Sequence, residues 1–354
     1  MKQRQALPLE AKIVFTQSRI REWYSHWQGD VYVSYSGGKD STVLLDIVKD
    51  MYPDVPAVFC DTGLEYPEVR ELALKKADVV LKPAMNFKQV IEKYGYPIPS
   101  KEQAQLIREL RSTNSDKLRS IRLNGRGGGS NLGMVSTRWM PLVYAPFKVS
   151  EQCCNVMKKK PFKRYDKETG RKSMTAVMVS ESQMREQSYM RRGCNAFDSK
   201  NPKSMPMAIW TEQDVLRYIK DRGIEYAAKC YGEIADDGNG GLMCTRMHRT
   251  GCMFCMFGIQ NDPTPNRFQL MERDYPRQYD YCINKLGLRS VLDYVGIPYK
   301  YQPTMFDLGA DGLVDEYWTE PIGTNTALEA EIDRIEAKRE ELKERIGWTG
   351  EEDE

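Results

Sequence analysis

The run Val31-Tyr32-Val33-Ser34-Tyr35-Ser36-Gly37-Gly38-Lys39-Asp40-Ser41-Thr42-Val43-Leu44-Leu45 constrains the fold more than any other part of the chain. A short β-branched and aromatic segment stops at Ser-Gly-Gly-Lys-Asp-Ser, and an apolar-periodic segment begins at once, so the pattern reads strand, glycine loop, helix. Gly37 and Gly38 have no side chains, so backbone N–H groups can close on an anion, and the new helix adds the positive end of its dipole. Lys39 supplies a mobile positive charge; Ser36 and Ser41 supply hydroxyl donors. The spacing is neither the Walker A pattern nor Gly-x-Gly-x-x-Gly. Gly-Gly alone suits a capped tight turn. The whole hexapeptide between a strand and a helix points instead to bound phosphate.

The next segments extend this unit. Val55 to Cys60 reads as a second buried strand and Pro67 to Ala77 as a helix with proline near its start. A right-handed crossover then places Ser36 and Asp61 at one edge of a parallel sheet. There Asp61 can meet a metal ion on a nucleotide or bond its sugar, and a capping role fits it equally well. Val79 to Leu81 reads as a third strand, Phe87 to Tyr94 as a helix, and residues 9 to 27 as a helix with an apolar stripe. Met174 to Val179 is also strand-like.

A chain of 354 residues with 41% hydrophobic content can bury one large core or two modest ones. The net charge of +2 gives no global reason to expect nucleic acid. Residues 101 to 126 nevertheless hold seven Lys or Arg against three acids, and Asn124 to Ser130 is glycine-rich. A lid over a bound polyanion and a solvated insertion both fit that stretch. The N-terminus lacks a leader pattern and no stretch is long and uncharged enough to span a bilayer, so the expectation is a cytoplasmic protein with no membrane partner.

Nine cysteines in such a compartment point to metal or catalysis rather than disulfides. Cys153 and Cys154 are adjacent and are followed by Lys158, Lys159 and Lys160, which favour thiolates. Cys252 and Cys255 form a Cys-x-x-Cys loop whose thiolates can reach one metal. Zinc on Cys244, His248, Cys252 and Cys255 is one arrangement these residue types permit. Cys60, Cys194, Cys230 and Cys282 read as buried thiols.

Ser36 to Ser41 resembles the PP-loop of the adenine nucleotide α-hydrolase superfamily, and Phe59-Cys60-Asp61-Thr62-Gly63-Leu64-Glu65-Tyr66-Pro67-Glu68 resembles its phosphoadenosine phosphosulfate (PAPS) reductase branch. Glu181-Ser182-Gln183-Met184-Arg185 is similar to that family's substrate segment, and Trp210-Thr211-Glu212-Gln213-Asp214-Val215 to another of its segments, a helix start with a capping box. The two cysteine pairs resemble those of cluster-bearing APS reductases. The resemblance implies an α/β fold, a Rossmann-like parallel sheet with helices on both faces. It implies an adenine nucleotide (ATP, APS or PAPS) on Ser36, Gly37, Gly38, Lys39, Asp40, Ser41, Asp61 and Arg185. Bidentate anion contacts and a solvated helix face both fit the arginines Arg185, Arg191 and Arg192. It also implies a [4Fe-4S] cluster on Cys153, Cys154, Cys252 and Cys255, with Cys244 able to replace one of the first pair.

Two departures shape the functional expectation. Met178-Val179-Ser180 stands where the family commonly has Gly-x-Arg, and the chain has no Glu-Cys-Gly nucleophile segment and histidine only at His26 and His248. The pattern is closer to a relative such as the ATP pyrophosphatase of DNA phosphorothioation. In that reading Lys39, the loop amides and a magnesium ion near Asp40 or Asp61 stabilise the pyrophosphate leaving from ATP, and the AMP ester awaits sulfur. A sulfur donor protein and a nucleic-acid substrate are partners consistent with it. APS or PAPS reduction to sulfite is the enzymatic alternative. A zinc-containing nucleic-acid-binding module is the other class, favoured by the basic stretches at 101 to 126 and 158 to 172. The expected domains are a nucleotide-binding α/β domain over 1–225, a Cys-rich subdomain over 226–325 with a small aromatic core, and a charged helical tail over 326–354. The sequence leaves the oligomeric state open.

Overall fold

Val31, Val33 and Tyr35 point into one apolar cluster and Tyr32 into another, so strand β1 (Val31–Tyr35) is covered on both faces. This explains its nearly unbroken apolar character. The computed structural model describes residues 1–127 and 130–303. Five further strands join β1: β2 (Ala57–Cys60), β3 (Val79–Leu81), β4 (Lys172–Met174), β5 (Asn195–Ala196) and β6 (Lys203–Ser204). Their order is β3-β2-β1-β4-β6-β5, parallel throughout except for β5 against β6. β1 sets Tyr35 beside Phe59 of β2 and Val33 beside Met174 of β4. The chain first winds to one side of β1 and later returns on the other, which makes β1 the switch point of a doubly wound sheet, where a crevice opens at the strand carboxyl ends.

The helices Leu9–His26 and Lys39–Met51 pack on one face, with Ile20, Trp23, Val43, Leu44, Ile47 and Val48 all at most 1% exposed. Each such side chain contributes roughly 1.5–3 kcal/mol of burial. Met207 to Trp210 and the helix Glu212–Arg222 complete that core. Trp210 Nε1 donates to Thr16 Oγ1 at 2.8 Å, and Lys12, 2% exposed, meets Asp214 at 2.6 Å. On the second face Tyr32 and Val58 meet Tyr165 of the helix Lys160–Thr169, and the Tyr32 hydroxyl donates to Asp166 at 2.7 Å. The capping box foreseen at Thr211 is present: its amide and hydroxyl both donate to Asp214 at 2.7 Å.

The strand expected over Met174 to Val179 is instead β4, ending at Met174. Beyond it the backbone bonds irregularly, Thr175 N to Ser204 O and Val179 N to Ala208 O, and a short 3-10 turn follows at Val179–Glu181.

The chain divides into two compact units. One is Met1–Phe87 with Cys154–Met253, which contains the whole sheet; the other is Lys88–Cys153 with the described part of Phe254–Glu354. In the second, residues 101 to 126 are two helices, Lys101–Ser112 and Asp116–Asn124, capped by the Ser100 and Ser115 hydroxyls. Much of their basic character is paired internally, Arg108 with Glu151 at 2.7 Å and Arg122 with Glu109 at 2.6 Å. The C-terminal core of this unit is mainly aliphatic, with Ile283, Leu288, Val291 and Leu292 fully buried; Tyr275 is buried, whereas Tyr281 is 44% exposed. The helical tail expected over 326–354 lies outside the described residues. Among the described residues no helix is long and apolar enough to cross a membrane.

Candidate nucleotide site

The loop after β1 is shaped by two glycines for different reasons. Gly37 has φ +74°, and a Cβ there would lie 2.3 Å from the Val69 carbonyl oxygen and 2.9 Å from Ala73 Cβ, so the loop presses directly on the helix Pro67–Lys76. Gly38 is the N-cap of Lys39–Met51, leaving the first helical amides at the switch point. Ser36 and Ser41 hold this turn together. Ser36 N donates to Ser41 Oγ at 3.2 Å, and Ser41 Oγ donates to the Gly38 carbonyl at 2.9 Å.

Lys39 is 5% exposed and anchored, where the sequence suggested a mobile charge. Its Nζ donates to the His248 carbonyl at 2.9 Å and pairs with Glu212 Oε1 at 3.0 Å, with Asp40 Oδ1 at 3.8 Å. Its backbone N–H donates to the Tyr231 hydroxyl at 3.4 Å, which lies 2.5 Å from Thr250 Oγ1. Burial pushes the Tyr231 phenol up, so it stays protonated. Glu212, Tyr231 and Thr250 were not foreseen as part of this site. Glu212 follows the capping threonine, but nothing in the local pattern near Tyr231 or Thr250 marks them.

Asp40 is half-buried and its Oδ1 has no hydrogen-bond partner. Burial raises its carboxyl above the ordinary value and Glu212 adds to this, while Lys39, Arg249 and Arg185 oppose it. Arg185 lies in the first turn of the helix Gln183–Arg192, its amide donating to the capping Ser182 Oγ, and its guanidinium pairs with Glu181. Arg249 approaches the same carboxylate at 3.6 Å. Burial and the Arg249 charge lower the Arg185 pKa. Lys39, Asp40 and Arg185 therefore share one electrostatic neighbourhood.

Asp61 leaves the carboxyl end of β2, the edge it shares with Ser36. Arg70 Nε and Nη2 grip its two carboxylate oxygens, both at 2.8 Å. These bonds hold its carboxyl below the usual range. Asp61 is thus engaged with protein, whereas Asp40 carries an oxygen lacking a donor.

The loop after β2 also reaches the cysteines. Leu64 O accepts the Met253 amide at 2.7 Å, and Glu65 lies 3.6 Å from Lys158 Nζ. Burial works to lower the Lys158 pKa, but Cys252, Glu65 and Cys154 outweigh it and hold the ammonium above its usual range. Lys158 thus feels the charge of Cys154 and bonds the Cys252 side chain. Cys153 adjoins the first in sequence, and Cys255 follows the second by three positions. Among the described residues no three His, Cys, Asp or Glu side chains are gathered to hold a metal ion, so neither the four-cysteine set nor the zinc set is assembled; Cys244 is buried in a hairpin and His248 is exposed. Cys60, Cys194, Cys230 and Cys282 are buried, and no cysteine is in a disulfide.

One segment joins the two regions. His248 touches Lys39 and Cys252 touches Lys158, four residues apart, a separation of at most about 14 Å along an extended backbone.

A profile of the phosphoadenosine phosphosulfate reductase domain matches residues 30–111 and 101–255. The chain is 24% identical over 212 residues to an adenosine 5'-phosphosulfate reductase of Staphylococcus epidermidis, covering 58% of this chain and 68% of that protein. It is 25% identical over 214 residues to the protein of the same name from Staphylococcus haemolyticus, covering 59% and 69%. A phosphoadenylyl-sulfate (PAPS) reductase from Candida auris, solved as a phosphate complex, is a structural neighbour at 18% identity and a TM-score of 0.35, covering 64% of this chain and 89% of that one. The domain match takes in the glycine loop, the Asp61 segment and all four paired cysteines, and with it the chain belongs to the phosphoadenosine phosphosulfate reductase family of PP-loop enzymes.

Proposed function

We propose that the chain binds ATP at the loop after β1, where an acceptor oxygen attacks the α-phosphorus and pyrophosphate leaves, and that a sulfur nucleophile then displaces AMP from the acceptor. The observation that carries this reading is the arrangement around Lys39: helix-start amides at the switch point, a buried ammonium held by exchangeable oxygen acceptors, and a carboxylate beside it. Phosphate oxygens replace the Glu212 carboxylate and His248 carbonyl on Lys39 with chemistry of the same kind. The loop amides and Lys39 stabilise charge that develops on the leaving pyrophosphate, and Arg185 binds a further phosphate oxygen. Asp40 Oδ1, buried without a donor, fits a magnesium ion that enters with ATP, and that ion would neutralise phosphate charge; Asp61 is already held by Arg70.

Cys153, Cys154, Cys252 and Cys255 would hold a [4Fe-4S] cluster, a reading supported by two sulfur pairs of the kind such clusters use and by Lys158, which bonds Cys252. Bound there, it would supply iron-sulfur chemistry to the sulfur-transfer half of the reaction.

The names of the Staphylococcus relatives favour a second reading, reduction of APS or PAPS to sulfite. Against Cys230 or Cys282 as its nucleophile stands their burial: Cys230 is 1% exposed and Cys282 is fully buried, with its thiol pushed up by burial. The deciding experiment is product analysis after anaerobic incubation with magnesium and either ATP, or APS or PAPS with a thiol reductant. AMP and pyrophosphate from ATP support the first reading; sulfite from APS or PAPS with no ATP cleavage replaces it by the second.

A further inference from the structure

The antiparallel β5–β6 pair closes one edge of the sheet, and against it lies a cavity of about 730 Å³. Its lining holds four cations, Arg191, Arg192, Lys200 and Lys203, against the single acid Asp198, and all five are exposed. Local helix chemistry explains part of this. Arg191 and Arg192 sit in the last turn of Gln183–Arg192, where cations complement the dipole. That does not account for Lys200 and Lys203 or require all four to surround one cavity, where their mutual repulsion opposes folding. Nor does overall basicity, since the net charge of the chain is only +2.

The contrast with the other basic groups is informative. Lys39, Arg70, Arg108 and Arg122 each have a carboxylate at 3.0 Å or less. Among the described residues, none of the four cavity cations has an ion-pair partner. The floor beneath them is fixed. Asn195 Nδ2 donates to Glu22 Oε2 at 2.9 Å, Ser204 Oγ donates to Asn195 Oδ1 at 2.6 Å, and Phe197 stacks on Trp23 with ring centroids 5.1 Å apart.

We infer that this cavity is a binding site for the phosphodiester backbone of single-stranded nucleic acid. One small anion is best held by converging, buried donors. Four exposed cations on two chain segments, around a cavity of this volume, suit consecutive phosphates whose counterions are released on binding. The cavity takes Arg191 and Arg192, which the sequence offered as anion contacts, but shares no residue with the Ser36–Ser41 loop, and its occupation needs no turnover.

The test is fluorescence anisotropy of a labelled single-stranded oligodeoxynucleotide of ~12 nucleotides, titrated with the full chain between ~50 and ~200 mM salt. With all four cations engaged, the affinity should fall with salt at a log–log slope of about −3, from about −0.7 per neutralised phosphate. Lys200→Glu with Lys203→Glu should weaken binding at least ~10-fold and shrink that slope by about half. Asp198→Asn should tighten binding, which guards against a trivial loss through misfolding; melting curves of the variants check the fold as well. Unchanged affinity and slope in the lysine double variant would overturn the assignment. So would displacement of the oligonucleotide by inorganic tripolyphosphate at equal phosphate concentration, which would mark a small-anion site. Because no ATP is present, failure here leaves the loop chemistry untouched, and failure of that chemistry leaves this result standing.

Discussion

Lys39 and Lys158 stand at the same edge of one sheet, and each is held by a different kind of partner. Lys39 is buried and bonded to oxygen alone, a carboxylate and a backbone carbonyl. Lys158 is half-buried and meets sulfur, Cys252 and Cys154, together with Glu65. Oxygen acceptors on an ammonium exchange readily for phosphate oxygens. Sulfur near an ammonium is a donor suited to soft metals. If the proposed reaction is right, nucleotide activation and sulfur handling would rest on separate lysines, linked by the short His248–Met253 segment.

The largest effect expected from breaking this contrast is at Lys39. Lys39→Ala should lower AMP and pyrophosphate formation from ATP by ~10²–10³-fold, the usual consequence of removing one donor from developing oxyanion charge. Full activity in that variant would remove Lys39 from the chemistry. Next, Lys158→Met should weaken iron retention by ~10–100-fold, read as iron and acid-labile sulfide lost to a chelator, with ATP cleavage much less affected. Equal loss of both activities would mean the two lysines act as one site. Glu212→Gln removes the carboxylate that competes with phosphate for Lys39. It should tighten ATP binding by roughly 2–5-fold in calorimetry, since the pair is part-exposed at Glu212.

The smallest effect concerns acid stability. Arg70 lowers the Asp61 carboxyl below the ordinary aspartate value of about 3.9, so the pair stabilises the fold at pH above that value and loses its contribution as pH falls toward the lowered one. Asp61→Asn should therefore lose less stability than the parent chain as pH drops below about 4. With Arg70 43% exposed, the difference in denaturant melts should be about 1 kcal/mol or less.

What the sequence makes legible follows the range of the interactions. The first three strands and the helices between them arise from local apolar runs, glycine and proline, and they form where the pattern puts them. The capping box at Thr211 is equally local. The partners of Lys39 are of another kind: Tyr231 and His248 lie 192 and 209 residues from it, and no pattern in a linear chain announces such a meeting. The same holds for Lys12 and Asp214, 202 residues apart. β5 and β6 have two residues each, too few to display a period of two. The basic stretch at 101 to 126 shows the opposite failure, since composition counts charges but not the glutamates that meet them.

The switch at β1 has a consequence for synthesis. Val33 pairs with Ala57, a near neighbour in sequence, whereas Val31 must wait for Lys172, about 140 residues later. At ribosomal rates of ~5–20 residues per second, β1 offers a bare hydrogen-bonding edge for on the order of ten seconds. Glu212, Tyr231 and His248, which anchor Lys39, emerge later still, so the site is completed near the end of the unit's synthesis. Nascent chains stalled between β3 and β4 are the ones in most need of a chaperone.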